Sequence, residues 1–184
     1  GLIVGGDNDM LQGGAYHFNG ATWTLVSGPW TNALTGITGK SSTDITAVGD
    51  EGAVFHWNGS TWTKVGSTTG TIKPQLKAVN SAGWAVGKGG VVMKESGNHS
   101  WSEAVSGSAP AVTLNDVSTS GALSIAVGAD LFATDDAFIL ENTGGVTWNP
   151  KPVPVDLELN RVLTLGGENA YAVGDELILR RDVN

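Results

Sequence analysis

The sequence contains no cysteine, so neither a disulfide bond nor a thiolate metal site can form within the chain. Arginine is nearly as scarce, with only Arg161, Arg180 and Arg181 among 184 residues. Lysine and arginine together number 10 against 18 aspartates and glutamates, which gives a formal net charge of −8. Binding to a phosphate backbone depends on cationic side chains that release counterions, so this balance argues against a nucleic-acid partner.

Long hydrophobic runs are also missing, since no apolar stretch approaches the roughly 18 residues of a membrane-spanning helix. Membrane insertion is therefore not expected. The first residues, Gly-Leu-Ile-Val, include neither Met nor a charged leader, which predicts that a leader, or more of a longer protein, precedes them. The sequence identifies no single cellular location, and a secreted, periplasmic or cell-surface location is favoured.

Glycine is abundant, at 27 residues, or about twice its average share, and it marks a repeat. Five aligned copies of the repeat carry a Val-Gly pair, with steps of 44, 38, 41 and 46 residues, at Val4-Gly5, Val48-Gly49, Val86-Gly87, Val127-Gly128 and Val173-Gly174. A tryptophan follows each of the first four pairs, at Trp23, Trp62, Trp101 and Trp148. A leucine precedes each of the last four pairs, at Leu34, Leu76, Leu114 and Leu159.

A period of about 40 residues with four short strands in each unit is typical of a β-propeller, in which every blade is a small antiparallel sheet. The sequence therefore predicts an all-β propeller of four-stranded antiparallel blades. We call the strands of a blade A, B, C and D in chain order. The Val-Gly pair ends strand B, the tryptophan begins strand D, and the predicted blades span about 1–27, 34–66, 76–106, 114–154 and 159–184.

The two terminal units are incomplete, because the first has only strands B, C and D and the last has only A, B and C. Five blades, the first and last three-stranded and closed by contact between the chain ends, are the favoured interpretation. A four-bladed ring and an open or domain-swapped assembly remain as alternatives. An inner edge without a partner strand also predicts self-association through the incomplete terminal blades.

The repeat resembles bacterial propeller repeats related to the photosystem assembly factor family and to the BNR or Asp-box families. The matching segments are Ala47–Gly52 with Asn58–Trp62, Ala85–Gly90 with Asn98–Trp101, and Ala126–Gly128 with Thr143–Trp148. The resemblance implies the propeller fold and covers nearly the whole chain. Asp-box positions are degenerate, since Trp57 stands two residues before Gly59, where the motif would carry a polar residue.

Propeller ligand sites usually form at one end of the central channel, where the B to C loops meet, and these loops are acidic here. Carboxylates in these loops could converge into a negative ring that attracts cationic ligands. The candidate carboxylates are those of Asp50, Asp130, Asp135, Asp136 and Asp175. Alternatively, they stand there only because aspartate suits tight turns. The insertion 130–136 lacks the spacing and the glycine of an EF-hand calcium loop.

The histidines are predicted to be surface residues, because His17, His56 and His99 share no spacing that makes a zinc pair on one strand. The sequence thus predicts no metal and no cofactor. It also carries no nucleophile elbow, Walker motif or dinucleotide fingerprint, and no catalytic residue is assigned. Three arginines are too few for the carboxylate clamp of a sialidase.

Trp30 follows Gly28-Pro29 in the loop between the first two units and lies outside the repeat positions. It is a candidate anchor for a ligand or partner, or else a plug over the channel mouth. By elimination, the sequence predicts a non-enzymatic binding or protein-interaction module for a protein or glycan ligand. A glycan-binding lectin and a glycoside hydrolase are the alternatives.

Overall fold

The computed structural model describes residues 1–6, 13–69, 73–104, 112–130, 136–153, 155–166 and 169–181. Its regular structure is almost wholly β, with a single 3-10 turn at Asp50–Gly52. The strands are β1 (Leu2–Gly6), β2 (Gly13–Phe18), β3 (Trp23–Val26), β4 (Leu34–Ser41), β5 (Asp44–Gly49), β6 (Val54–Trp57), β7 (Trp62–Gly66), β8 (Leu76–Val79), β9 (Trp84–Gly87), β10 (Val92–Glu95), β11 (Trp101–Glu103), β12 (Val112–Ser120), β13 (Leu123–Asp130), β14 (Asp136–Asn142), β15 (Asn149–Lys151), β16 (Leu159–Thr164), β17 (Ala170–Gly174) and β18 (Leu177–Arg181).

These strands form five antiparallel sheets in which every strand pairs with its neighbours in the chain. Strands β1 to β3 form the first sheet, β4 to β7 the second, β8 to β11 the third, β12 to β15 the fourth and β16 to β18 the fifth. The prediction of five blades with a three-stranded first and last blade is therefore confirmed. Among the described residues, no helix is long and apolar enough to cross a membrane.

The core lies between successive blades and not within any one of them, because a single small sheet cannot bury both of its faces. Four clusters of buried apolar side chains occupy the four junctions between blades. At the junction of the third and fourth blades, for example, Trp84 and Val86 pack with Leu114, Leu140 and Trp148. Packing from both sides thus explains the small, apolar strand B of the second, third and fourth blades.

The glycine of the Val-Gly pair is required by a close approach of backbone and not by an unusual dihedral angle. Strand A is the inner strand of each blade and carries the leucine of the repeat. In four blades, a Cβ on the glycine of the Val-Gly pair would lie closer than 2.5 Å to the carbonyl oxygen of the residue before this leucine. For Gly128, that oxygen belongs to Thr113 in the paired strand β12. Among the described residues, no inner strand lies beside Gly5, and nothing lies within 4 Å of its Cβ position.

Three of the tryptophans that begin strand D pack against the preceding blade. Trp62, Trp101 and Trp148 are buried, with 5%, 8% and 1% of their surface exposed. Trp23 occupies the same repeat position but is 48% exposed, because the described chain provides no blade before the first.

The outward faces of the first and last blades are apolar and exposed. Ile3, Tyr16 and Leu25 lie in one cross-strand row of the first blade. On the last blade, Val173 and Ile178 are paired and exposed. Contact between the terminal blades, which the strand count led us to expect, therefore does not bury these faces.

Candidate functional site

The inner strands of four blades share an irregularity that the sequence analysis did not identify. Each contains a β-bulge directly after its leucine, between Leu34 and Gly36, Leu76 and Ala78, Leu114 and Asp116, and Leu159 and Arg161. A bulge places one extra residue outside the regular ladder and turns its side chain away from the alternating pattern. The extra residues are all polar: Thr35, Lys77, Asn115 and Asn160.

These four side chains, together with Gln75, Glu158 and Arg161, line a polar pocket of about 250 Å³, which we call the bulge pocket. It lies at the edge of the sheets where the inner strands begin. Because the strands of each sheet are antiparallel, the B to C hairpins reach this same edge. The bulge pocket is thus at the end of the fold where the sequence predicted a ligand site.

Hydrogen bonds hold the pocket side chains in place across blade boundaries. Lys77 Nζ donates to Asn115 Oδ1 at 2.7 Å, and Asn115 Nδ2 donates to Glu158 Oε1 at 2.6 Å. The same amide nitrogen donates to the backbone oxygen of Leu159 at 2.9 Å. Asn115 therefore bridges a cation and a carboxylate from the blades on either side of it, and the polar groups are preorganised.

Two of the predicted acidic residues border the bulge pocket without lining it. Asp50 accepts a hydrogen bond from Gln75 Nε2, and its backbone N–H donates to the oxygen of Ala33 at 3.0 Å. Asp175 accepts a hydrogen bond from Asn160 Nδ2 at 3.3 Å. Each carboxylate thus orients a side chain of the pocket wall.

Asp130 and Asp136 lie apart from these two, as a cross-strand pair between β13 and β14. Partial burial raises the pKa of the Asp136 carboxyl, and the nearby carboxylates of Asp156 and Asp130 raise it further. Asp135 lies outside the described residues. The structure therefore brings Asp130 and Asp136 together but places Asp50 and Asp175 in separate hydrogen-bonded positions.

Trp30 packs between the first two blades. Its ring meets Phe55 and Trp62 edge to face, at centroid distances of 5.9 and 5.7 Å. A Cβ on Gly28 or Gly13 would overlap the ring, so the position of the Trp30 ring requires glycine at both positions. The ring is half-buried, which leaves only part of its surface for a ligand.

The prediction that the histidines are surface residues is wrong for His56, which is only 9% exposed. Its ring stacks on that of His99 from the next blade, with centroids 3.5 Å apart. Sequence spacing along one strand could not find this pair, because the two histidines come from different blades. His17 is exposed, as predicted.

A cleft of about 400 Å³ lies between the fourth and fifth blades, with Ile125, Ile139 and Val162 in its wall. At the other junctions, the strand D tryptophan of the later blade fills this position. The described part of the fifth blade has no strand D, so the cleft follows from the repeat and does not need a separate ligand.

Neither a protein-family model nor a curated protein matches the sequence. Solved structures do match. The structure described as "YCF48 bound to D1 peptide" gives a TM-score of 0.61 at 14% identity, over 93% of this chain and 58% of that one. YCF48 from Cyanidioschyzon merolae gives 0.60 at 12% identity, over 92% of this chain and 62% of that one.

The WD40 domain of Neurospora crassa Pan2 gives a TM-score of 0.57 at 14% identity, over 89% of this chain and 53% of that one. The present chain thus spans between about half and two thirds of the length of these solved chains. Identities this low show a shared fold and nothing finer. By its sheets and by these likenesses, the chain is a β-propeller.

Proposed function

We propose that the chain is a non-enzymatic binding module that holds a polar peptide segment of a protein partner at the bulge pocket. The observation that carries this proposal is the repeated bulge, which turns a polar side chain toward one pocket in four successive blades. Regular strands would alternate their side chains between the two faces, whereas each bulge takes one polar residue out of this alternation at the same position of the repeat.

The size and chemistry of the pocket favour part of a larger ligand. Its volume of about 250 Å³ is below the roughly 300–1,000 Å³ of sites that enclose a small molecule. It suits a side chain or chain end of a peptide. Lys77 and Arg161 provide donors beyond the bonds they already make, and Glu158 and Thr35 provide acceptors. The solved YCF48 that carries a peptide supports a propeller as a peptide platform.

The two alternatives receive less support from the same pocket. No aromatic ring is among its lining residues, whereas stacking on aromatic rings usually contributes to sugar recognition. Glycoside hydrolysis needs two carboxyl groups about 5 to 10 Å apart across the substrate. The lining contributes one carboxylate, Glu158, which is already hydrogen-bonded to Asn115.

Selection from a displayed random-peptide library tests the proposal. We expect enriched peptides to bind the wild-type chain and to lose at least about tenfold in affinity on K77A/R161A, because each lost charged hydrogen bond costs about 1.5–3 kcal/mol. K64A is the matched control, since Lys64 is an exposed lysine on the outer strand β7. Equal binding to K77A/R161A, or binding only on a parallel glycan array, would contradict the proposal.

Self-association is a second candidate property, favoured by the apolar outward faces of the terminal blades. The first face comprises Ile3, Tyr16, Trp23 and Leu25, and the last face comprises Leu163, Tyr171, Val173 and Ile178. In the middle of the fold, faces of this kind pack on the neighbouring blade. The last face of one copy and the first face of another are therefore suited to pack together.

A further inference from the structure

We propose that Asp44, His56 and His99, with Glu95 beside them, bind a divalent transition-metal ion between the second and third blades. Two imidazole nitrogens and a carboxylate form a ligand set that suits Zn²⁺ and neighbouring metals better than Ca²⁺ or Mg²⁺. Among the described residues, this is the group whose ligand atoms meet the spacing of a metal site, all within 4.8 Å of one another.

The second blade contributes Asp44 and His56 from adjacent strands. Asp44 begins β5, and Thr46, two residues on, is paired with His56 of β6. Residues two apart on a strand share a face, so the Asp44 and His56 side chains are diagonal neighbours on the face that meets the third blade. His56 Nε2 lies 3.3 Å from Asp44 Oδ1.

The third blade contributes His99 from the tight turn that joins β10 to β11. The backbone N–H of Ser100 donates to the oxygen of Gly97, and both Asn98 and His99 have positive φ, at 46° and 58°. Glycine is favoured in this conformation. The turns of the first two blades have four residues, at 19–22 and 58–61, whereas this turn has five, at 96–100. Gly97, with a φ of 96°, follows the strand as Gly20 and Gly59 do, so His99 belongs to a turn that is one residue longer.

Two of the distances between ligand atoms equal those around a tetrahedral ion, and a third is slightly longer. Bonds of about 2.0–2.1 Å place tetrahedral ligand atoms roughly 3.3–3.4 Å apart. His99 Nδ1 lies 3.3 Å from Glu95 Oε1 and 3.8 Å from Asp44 Oδ1. Lys40 Nζ holds the other oxygen of Glu95 at 2.7 Å, which leaves Oε1 directed to His99.

The facing ring nitrogens lack the partners that buried polar atoms normally have. His56 Nε2 and His99 Nδ1 are buried, and neither makes a hydrogen bond of normal geometry. A metal ion would satisfy both nitrogens and the charge of Asp44 together. Because the rings are stacked within 17° of parallel, His99 must tilt out of the stack to direct its lone pair at the same ion as His56.

The site is remote from the bulge pocket and independent of it. Strand β5 runs from Asp44 to Gly49, so Asp44 and Asp50 are at opposite ends of one strand, about 20 Å apart at 3.3 Å per residue. A metal ion here would add a link between two blades that already meet through apolar packing and the Lys40–Glu95 ion pair. Its expected consequence is a more stable blade junction, because an ion that binds only the folded state stabilises it.

Calorimetric titration of the metal-free chain with ZnCl₂ tests the proposal, together with thermal unfolding with and without ZnCl₂. We expect one Zn²⁺ per chain and a rise in Tm for the wild type and for H17A, which removes an exposed histidine. H99G should bind Zn²⁺ at least about tenfold more weakly and show no rise in Tm. Glycine suits the positive φ at position 99, so this variant is expected to fold at least as well as the wild type.

Substitution with Co²⁺ provides a spectroscopic readout, because bound Co²⁺ reports tetrahedral nitrogen and oxygen ligands through its visible absorption. D44N should weaken this absorption and H99G should abolish it. Zn²⁺ binding that persists undiminished in H99G, binding that disappears in H17A, or no stoichiometric binding to the wild type would each overturn the proposal.

Discussion

The carboxylate of Asp116 accepts a hydrogen bond from the backbone N–H of Val162, and the two atoms are 3.0 Å apart. Ser118 and Thr164 each lie two residues further along these strands, and Ser118 Oγ accepts a hydrogen bond from the backbone N–H of Thr164 at 2.9 Å. These bonds join the inner strands of the fourth and fifth blades, β12 and β16, which belong to separate sheets. Side chains of one blade thus satisfy backbone donors of the next.

Substitutions at Asp116 should separate hydrogen bonding from charge. D116A leaves the Val162 N–H without its acceptor, and we expect a loss of about 1–3 kcal/mol in the free energy of unfolding. D116N retains an oxygen at this position and should lose less than about 1 kcal/mol at neutral pH. Urea unfolding of both variants checks this, and equal losses would show that the hydrogen bond is not the main contribution.

The same carboxyl group predicts a pH dependence of stability. Burial raises the pKa of Asp116 in the folded chain, although the hydrogen bonds from Val162 and Val117 lower it in part. The folded state therefore binds a proton more tightly than the unfolded state. The resulting stabilisation is complete below the ordinary pKa of 3.8 and is lost as the pH rises through the folded pKa.

The free energy of unfolding of the wild type, relative to that of D116N, should accordingly fall as the pH rises from below 4, and then become constant. Urea unfolding at closely spaced pH values measures this difference. A difference that rises with pH would mean that the folded state stabilises the charged form of Asp116.

Trp148 and Trp23 occupy the same repeat position, yet they should differ sharply in their contribution to stability. Trp148 is 1% exposed and meets Trp84 edge to face, with ring centroids 4.9 Å apart. We expect W148A to lose about 3–5 kcal/mol, as for other buried aromatic residues. W23A should lose less than about 1 kcal/mol, because Trp23 is already 48% exposed. Similar losses in urea unfolding would contradict this assignment of blade order.

The repeat was sufficient to predict the blades, because the Val-Gly pairs and the tryptophans are each fixed by local packing. Strand order within every sheet followed from the short turns between strands. The exposure of Trp23 did not follow, since a position in the repeat does not reveal whether another blade covers it. The site residues were also harder to predict, because hydrogen bonds between blades decide their roles.

Two signals in the sequence could have indicated more of the site. A polar residue follows the leucine of every inner strand, in the pairs Leu34-Thr35, Leu76-Lys77, Leu114-Asn115 and Leu159-Asn160, although an alternating strand would explain this as well. Between its strand C and its tryptophan, the third unit also has one residue more than the first two, and His99 lies in this longer turn. The pairing of His99 with His56 depends on how two blades are rotated against each other, and strand spacing contains no information on that rotation.

The glycine of the Val-Gly pair should tolerate alanine only where no inner strand is present. G128A brings a Cβ against the carbonyl oxygen of Thr113, which is backbone and cannot rotate away. We expect a loss of about 1–3 kcal/mol or more in the free energy of unfolding. G5A is the matched control, because nothing lies within 4 Å of that Cβ position, and alanine there should change stability by less than about 1 kcal/mol. A tolerated G128A would show that β12 and β13 are spaced more widely than in the structure.

The exposed terminal faces predict that the 184-residue chain associates with itself as its concentration rises. Leu25 and Ile178 are the most exposed large apolar residues of the two faces, at 66% and 72%. The last face also carries Arg161 and Arg180, whose guanidinium groups suit the aromatic rings of Tyr16 and Trp23 on the first face. Pairing between unlike faces is head to tail, so it would extend into chains of copies unless the rotation closes a ring.

Sedimentation over a range of concentrations measures this association. The weight-average mass should rise above 18.9 kDa for the wild type, whereas L25K and I178K should each remain near 18.9 kDa. Either substitution alone is sufficient, because each head-to-tail contact needs one face of each kind. V146K is the control, since Val146 is 61% exposed but lies outside both faces, and it should associate as the wild type does.

The net charge of −8 opposes association at low ionic strength. Added salt should therefore strengthen association, because screening weakens the repulsion between copies. A wild-type chain that stays monomeric at every concentration and salt level would show that the apolar faces do not pack on each other.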